Sequence, residues 1–172
     1  MTDPALFTQL TAEAHGDGVH QLVVGAVIAN DGHVLLLRRE QTDFMGGIYE
    51  LPSGKVEPGE TLDTALRREV EEETGLDVTA ITGYLGSFDY TSASGKKSRQ
   101  FNFTTTVSAA EPVRLQEHDD YMWAAPAPDA PATDAVKAIL EDYVRAGAHM
   151  GSGPTPPAAL AIAAVPSVRP RT

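Results

Sequence analysis

An acid-rich helix limits what this chain can fold into more than any other segment of the sequence. Residues 61–74 show helical periodicity, Thr61 suits the N-cap position and Gly75 suits the end of the helix. At about 100° per residue, the apolar stripe of its first turns is formed by Leu62, Ala65 and Leu66. Three acids continue that stripe within about 80° of its centre: Glu69, Glu72 and Glu73. We therefore expect these carboxylates to point toward the protein and not into bulk water.

Three inward carboxylates require a counterion, because they repel one another and raise each other's pKa values. Their spacing along the helix lets them share one or two hard cations. Ligation by oxygen alone favours Mg²⁺ or Mn²⁺ over zinc. Arg68 lies one turn before Glu72 and is placed to pair with that carboxylate and orient it. A divalent metal site is the favoured interpretation, and a charged helix edge without a ligand is the alternative.

The loop before the helix extends this pattern. Gly54 is followed after five residues by Glu60, and after seven more by a run that begins at Arg68 and ends at Leu76. The nine fixed positions are Gly54, Glu60, Arg68, Glu69, Val70, Glu72, Glu73, Gly75 and Leu76. In this the chain resembles the Nudix hydrolase family, whose signature box has these residue types at this spacing. The resemblance covers about residues 19–146.

The resemblance implies an α/β/α sandwich around a mixed β-sheet, with the box as a loop–helix–loop. It implies hydrolysis of a diphosphate linkage in a nucleoside diphosphate joined to another group, with Mg²⁺ or Mn²⁺ as the cofactor. The metal ligands would be Glu69, Glu72, Glu73 and the carbonyl group of Gly54. The catalytic set would be Glu69, Glu72, Arg68 and Glu60, in which the arginine orients a glutamate and Glu60 supports the cluster.

The general base stays open at this point. It is either a glutamate of the box, Glu69 or Glu72, or one of the downstream acids Glu117, Asp119 and Asp120. Four residues are candidates for substrate binding: Arg38, Arg39, Lys55 and Phe44. The two arginines are adjacent at the end of a predicted strand, so at most one of them is expected to meet a phosphate.

The substrate is the least determined part of this hypothesis. The residues typical of ADP-ribose and diadenosine polyphosphate hydrolases do not stand at their usual positions after the box. A nucleoside triphosphate pyrophosphohydrolase is therefore the default expectation. A nucleotide-sugar or dinucleotide pyrophosphatase is the alternative within the family. A ligand-sensing Nudix module without catalysis is the alternative from another class, and the complete box argues against it.

Strands and helices alternate along the remaining sequence. Strands are predicted over 20–30, 33–39, 48–51, 78–90, 99–107 and near 121–123, and a second helix over 133–146. Asp31 and Gly32 suit a tight hairpin turn between the first two strands. Residues 1–18 are expected to be a loosely held lead-in, and residues 19–146 a single domain. Residues 147–172 are rich in Pro and Ala and are expected to be a flexible tail.

Charge and composition limit which classes of partner this chain can have. The 172 residues carry a formal net charge of −11, and the stretch 50–77, with nine acids and three bases, holds −6 of it. This argues against nucleic acid and against a polybasic membrane patch as partners. The absence of cysteine excludes disulfides and thiolate zinc sites. With no signal-like or membrane-spanning apolar run, we expect a cytoplasmic protein that binds a small nucleotide-type diphosphate. A homodimer is left open.

Overall fold

A computed structural model describes residues 1–43, 45–150 and 165–166 of the chain. These described residues contain the helices α1 (Pro4–Gly16), α2 (Leu62–Thr74) and α3 (Asp134–Met150). The eight strands are β1 (Gln21–Asn30), β2 (His33–Arg39), β3 (Tyr49–Glu50), β4 (Ser53–Lys55), β5 (Val78–Thr91), β6 (Lys97–Val107), β7 (His118–Ala124) and β8 (Val165–Pro166). No helix in the described part of the chain is both long and apolar enough to cross a membrane.

The strands form one mixed sheet in the order β5-β6-β1-β2-β7-β8. Strand β3 pairs with β2, and β4 pairs with β1. The parallel pair is β1 with β6, from Gln21 beside Ser98 to Ile28 beside Thr105. The other pairs are antiparallel. Strand β4 is hydrogen-bonded to β1, a central strand. This pairing holds the start of the loop before α2 against the centre of the sheet.

Helices cover both faces of this sheet. Alternate residues of β2 separate the two layers, since Leu35 and Leu37 belong to the cluster that packs under α1 and α2, and Val34 and Leu36 to the cluster under α3. This is the period of two expected for a strand buried on both faces. The α/β/α sandwich around a mixed sheet that the sequence predicted is confirmed.

The N-terminal segment corrects one expectation. Residues 1–18 are not loosely held, because most of them form α1, which begins at the N-cap Asp3. The Asp3 side chain accepts a hydrogen bond from the Ala5 N–H at 2.9 Å. Phe7, Leu10 and Ala14 are buried, and the Phe7 ring lies 5.4 Å from that of Phe103. Burial of one helix face on the sheet therefore orders this segment.

The other elements follow the predicted order with shifted ends. Residues 53–55, predicted as part of a loop, form β4, because their backbone pairs with β1. The predicted strand near 121–123 extends over His118–Ala124, and α3 continues beyond 146 to Met150. The backbone of Val165–Pro166 pairs with β7. The rest of the predicted flexible tail, within residues 151–172, lies outside the described residues.

Candidate active site

An acidic cleft of about 710 Å³ opens where β4, the N-terminal part of the box and α2 meet the loop before β7. We call it the acidic cleft. Its lining residues are Ser53, Gly54, Lys55, Glu57, Arg68, Glu69, Glu72, Glu73, Gln116 and Glu117. The box residues predicted to act together are thus brought together, and residues from the 116–117 loop join them.

The backbone of β4 passes directly over the glutamates of α2. Gly54 lies opposite Val24 in the pairing with β1. A Cβ atom built at Gly54 would overlap the carboxyl group of Glu69. Only glycine therefore allows the β4 backbone and this carboxylate to approach each other so closely. The Gly54 backbone and the Glu69 carboxylate are thus in direct contact at the floor of the cleft.

Arg68 joins most of the acids around the cleft. Its Nε and Nη2 donate to the two carboxylate oxygens of Glu60, both at 2.8 Å. Its Nη1 donates to Glu69 at 2.8 Å and to Glu72 at 3.2 Å. Nη2 also donates to the backbone carbonyl of Lys55 at 3.0 Å. The guanidinium therefore ties the loop before α2 to two of its glutamates.

This network changes the acidity of its members. The hydrogen bonds from Arg68 lower the pKa of Glu60 to about 2. The same pairing, first with Glu60, raises the pKa of Arg68. Glu60 therefore stays ionised and holds Arg68 in place. For Glu69 the balance is reversed: burial is the largest influence and raises its pKa, and the charges of Glu72 and Glu117 act in the same direction against the pairing with Arg68.

Glu73 is the most buried acid of the cleft, with 9% of its surface exposed. Its Oε2 accepts a hydrogen bond from the Ser53 backbone N–H at 3.1 Å. Burial raises the pKa of Glu73 to about 8, and the charges of Glu69 and Glu50 act in the same direction. The carboxyl group is thus largely protonated at neutral pH, until a positive charge arrives beside it.

Glu72 departs from the orientation expected of the three glutamates. Its side chain is 56% exposed, whereas that of Glu69 is 13% exposed. Glu72 lies at the edge of the apolar stripe, and the β4 backbone approaches Glu69 and Glu73 instead. Only two of the three glutamates therefore point inward, and the third lies at the mouth of the cleft.

The potential ligand atoms in the cleft suit a hard divalent cation. They are the carboxylate oxygens of Glu69, Glu72 and Glu73, and oxygen ligands of this kind suit Mg²⁺ or Mn²⁺. The close approach at Gly54 leaves no room for a side chain between its backbone and the Glu69 carboxylate. Within the described residues, no three acidic or histidine side chains are already arranged to hold one ion. Arg68 instead donates to Glu69 and Glu72, and the Ser53 N–H donates to Glu73.

The predicted substrate-binding residues are dispersed. Lys55 lines the acidic cleft. Arg38 pairs with Asp119 at 2.7 Å, and Arg39 contacts Asp43 at 3.3 Å, so both arginines are held by acids outside the lining of the cleft. Phe44 lies outside the described residues.

The candidates for general base are separated in the same way. Glu117 lines the acidic cleft, and its charge acts on Glu69 and Glu73. Asp119 instead pairs with Arg38. Asp120 accepts a hydrogen bond from the Tyr49 hydroxyl at 3.1 Å. Of the three downstream acids, only Glu117 therefore faces the box glutamates.

Sequence reasoning missed a second compartment on the α3 side of the sheet. A small pocket of about 170 Å³ lies between α3 and the sheet and is lined mainly by apolar groups. We call it the apolar pocket. Its walls include Phe88, Val136 and Ile139, and its polar groups include Glu50. The Glu50 carboxylate is held at 2.8 Å by Nε2 of His118, a histidine whose side chain is only 6% exposed.

Comparison with known proteins identifies relatives of this chain. The family model described as NUDIX domain matches residues 19–139. Nucleoside triphosphatase NudI of Escherichia coli is 38% identical over 114 residues, covering 60% of this chain and 81% of that protein. The 8-oxo-dGTP diphosphatase of Proteus vulgaris is 39% identical over 61 residues, covering 36% of this chain and 54% of that protein. The crystal structure of MutT from Methanosarcina mazei Go1 has a TM-score of 0.64 at 28% identity, covering 76% of this chain and 97% of that chain. The match to the family model begins after α1.

Proposed function

Because this chain belongs to the NUDIX domain family and is a Nudix pyrophosphohydrolase, we propose that it hydrolyses a nucleoside triphosphate to a nucleoside monophosphate and pyrophosphate with a divalent cation. The observation that carries the proposal is the acidic cleft, where Glu69 meets the backbone of Gly54 and Glu73 meets that of Ser53. Similarity to a nucleoside triphosphatase and to an 8-oxo-dGTP diphosphatase supports a triphosphate as the substrate.

The carboxylates of Glu69, Glu72 and Glu73 and the carbonyl oxygen of Gly54 would hold the cation. Bound there, Mg²⁺ or Mn²⁺ would neutralise charge on the phosphate oxygens and activate the attacking water. An anionic protein then attracts an anionic substrate only after its own acids have been compensated. Burial first, and then the charges of Glu69 and Glu50, raise the pKa of Glu73, so a cation beside it would favour the ionised carboxylate.

Arg68 is a positioning residue in this scheme. Glu60, whose lowered pKa keeps it ionised, holds the guanidinium with two hydrogen bonds. Arg68 in turn holds Glu69 inside the cleft and Glu72 at its mouth. Loss of Glu60 would therefore disturb the positions of Glu69 and Glu72 indirectly, through Arg68.

Glu117 is the favoured general base in this scheme. It lines the cleft from the loop opposite α2, whereas Glu69 and Glu72 both accept hydrogen bonds from Arg68. A carboxylate that neither pairs with Arg68 nor holds the cation is free to accept a proton from the attacking water. Lys55, which lines the same cleft from β4, would contact a phosphate.

A substrate panel tests the function. Purified protein with Mg²⁺ is incubated with nucleoside triphosphates, nucleotide sugars and dinucleoside polyphosphates, and the products are separated by anion-exchange chromatography. We expect a nucleoside monophosphate and pyrophosphate from at least one triphosphate. Preferential cleavage of nucleotide sugars would contradict the choice of substrate, and a lack of turnover throughout the panel would contradict catalysis.

Two substitutions test the site assignment in the same assay. Glu72→Gln and Glu73→Gln each remove a carboxylate charge while preserving the shape of the side chain. Each should reduce kcat at least a hundredfold, because the site loses charge needed to hold the cation. Glu141→Gln, at an exposed position of α3, is the matched control and should be as active as the parent protein. Near-parental rates in both box variants would exclude these glutamates as metal ligands.

A further inference from the structure

A second cavity continues the acidic cleft beyond Glu72. It has a volume of about 540 Å³ and is lined by Arg68, Glu71, Glu72, Gly75, Arg114 and Gln116. We call it the outer lobe. Arg68, Glu72 and Gln116 also line the acidic cleft, so the two cavities meet at these side chains. A ligand seated in the cleft can therefore extend into the outer lobe.

The apolar pocket, on the α3 side of the sheet, meets the acidic cleft at β4. Ser53 lines both of these cavities. Three compartments are thus arranged in series: the apolar pocket, the acidic cleft and the outer lobe. A nucleoside triphosphate has the same sequence of properties, with an aromatic base at one end and a distal phosphate at the other. This order assigns the distal phosphates to the outer lobe.

The outer lobe has one cation that the described residues leave uncompensated. Arg68 is paired with Glu60, Glu69 and Glu72. The side chain of Arg114 makes no hydrogen bond or ion pair to a described residue. Its backbone N–H donates to the carbonyl of Thr74 at 2.7 Å, which anchors the residue at the end of α2. The backbone is therefore fixed while the guanidinium remains available to a ligand.

We propose that the outer lobe binds the distal phosphates of the triphosphate, the part released as pyrophosphate, through the guanidinium of Arg114 and the amide of Gln116. This proposal rests on the proposed function, because it requires a substrate with a chain of phosphates. A guanidinium matches the geometry of phosphate oxygens and stays charged at every physiological pH. Glu71 and Glu72 repel a phosphate in this lobe, so Arg114 provides the compensating charge.

Arg114 also lies beside the carboxyl end of α2, where a cation interacts favourably with the helix dipole. That structural role alone would lower the melting temperature of an Arg114 variant and leave its affinity for phosphate chains unchanged. The two roles therefore predict different measurements, and both measurements are needed on the same variants.

Binding of inorganic tripolyphosphate in the presence of Mg²⁺ tests the lobe without a nucleoside. Titration calorimetry would compare the parent protein with Arg114→Gln, Arg114→Lys and the control Arg145→Gln. Arg145 is exposed on α3 and paired with Asp142, so its loss changes net charge equally at a remote position. We expect Arg114→Gln to weaken binding about tenfold and Arg114→Lys to recover part of the loss. We expect Arg145→Gln to bind as the parent protein does.

Steady-state kinetics provide the second readout. Arg114→Gln should raise KM for a nucleoside triphosphate about tenfold, with a smaller effect on the corresponding diphosphate, which lacks the distal phosphate. Equal tripolyphosphate affinity in Arg114→Gln and Arg145→Gln would overturn the proposal, as would the absence of tripolyphosphate binding to the parent protein. If the parent protein binds tripolyphosphate through Arg114 but cleaves no triphosphate, the proposed function fails and the binding lobe stands.

Discussion

Glu73 shows how position alone changes the chemistry of one residue in this protein. It shares a helix with Glu71, an exposed acid, yet its carboxyl group is buried against the backbone of Ser53. Burial raises its pKa to about 8. The local sequence determines that Glu73 points inward, because helical phase is a local property. The size of the pKa shift depends on β4, which covers it.

The raised pKa predicts how stability depends on pH in metal-free protein. In the folded state Glu73 keeps its proton up to about pH 8, whereas the unfolded chain releases it near 4.5. Between these values the folded state binds more protons, so its contribution to stability is full below pH 4.5 and is lost as the pH rises toward 8. The loss should be at most about 1.4 kcal/mol per pH unit.

Urea unfolding in EDTA at several pH values between 5 and 8 measures this effect. Glu73→Gln should show a shallower decline in the free energy of unfolding than the parent protein, because the amide does not titrate. Glu141→Gln, which changes an exposed acid, should decline as the parent protein does. Identical slopes for the parent protein and Glu73→Gln would mean that Glu73 is ionised in the folded state.

Elements were predicted best where their signals are local. Asp31 and Gly32 both have positive φ, 49° and 75°, as expected of the hairpin turn that this dipeptide favours. Helix α2 begins after Thr61 and ends at Gly75, which adopts the left-handed conformation. Helix α1 was missed although Asp3 followed by Pro4 is a typical helix start. Strand β4 was missed because so short a segment becomes a strand only through its partner β1.

Helix α1 predicts a large effect of a substitution far from the cleft. Phe7→Ala should lower the free energy of unfolding by about 3 kcal/mol, because it removes a buried ring that packs against Phe103. Gln9→Ala, on the exposed side of the same helix, should cost much less. Urea unfolding of both variants is the measurement. A loss for Phe7→Ala no larger than that for Gln9→Ala would show that α1 does not stabilise the domain.

More than half of the net negative charge of the molecule comes from one stretch of the chain. Of the formal net charge of −11, the stretch 50–77 holds −6, and this stretch contains β4 and α2. The structure brings Glu117 to the same cleft from a separate loop and so adds to the local charge. The proposed binding site for divalent cations would account for a concentration of charge that otherwise destabilises the folded state.

Addition of Mg²⁺ should therefore stabilise the whole domain. At a Mg²⁺ concentration of about a hundred times the dissociation constant, binding should raise the free energy of unfolding by about 2.7 kcal/mol. The melting temperature should then rise by several degrees. NaCl at the same ionic strength is the control for screening of surface charge. Glu73→Gln should lose most of the Mg²⁺ effect. Equal shifts with Mg²⁺ and NaCl would contradict a specific cation site.

The sequence by itself determined the family, the mixed α/β architecture and the helix that carries the box glutamates, because spacing and helical phase are properties of neighbouring residues. Tertiary structure decided which residues meet across the chain. It placed Glu117 rather than Asp119 in the cleft, joined His118 to Glu50 and left the Arg114 side chain at the outer lobe without a partner among the described residues. Such contacts depend on strand register and on how loops return to the sheet. Residues distant in the chain carry no local signal of this proximity.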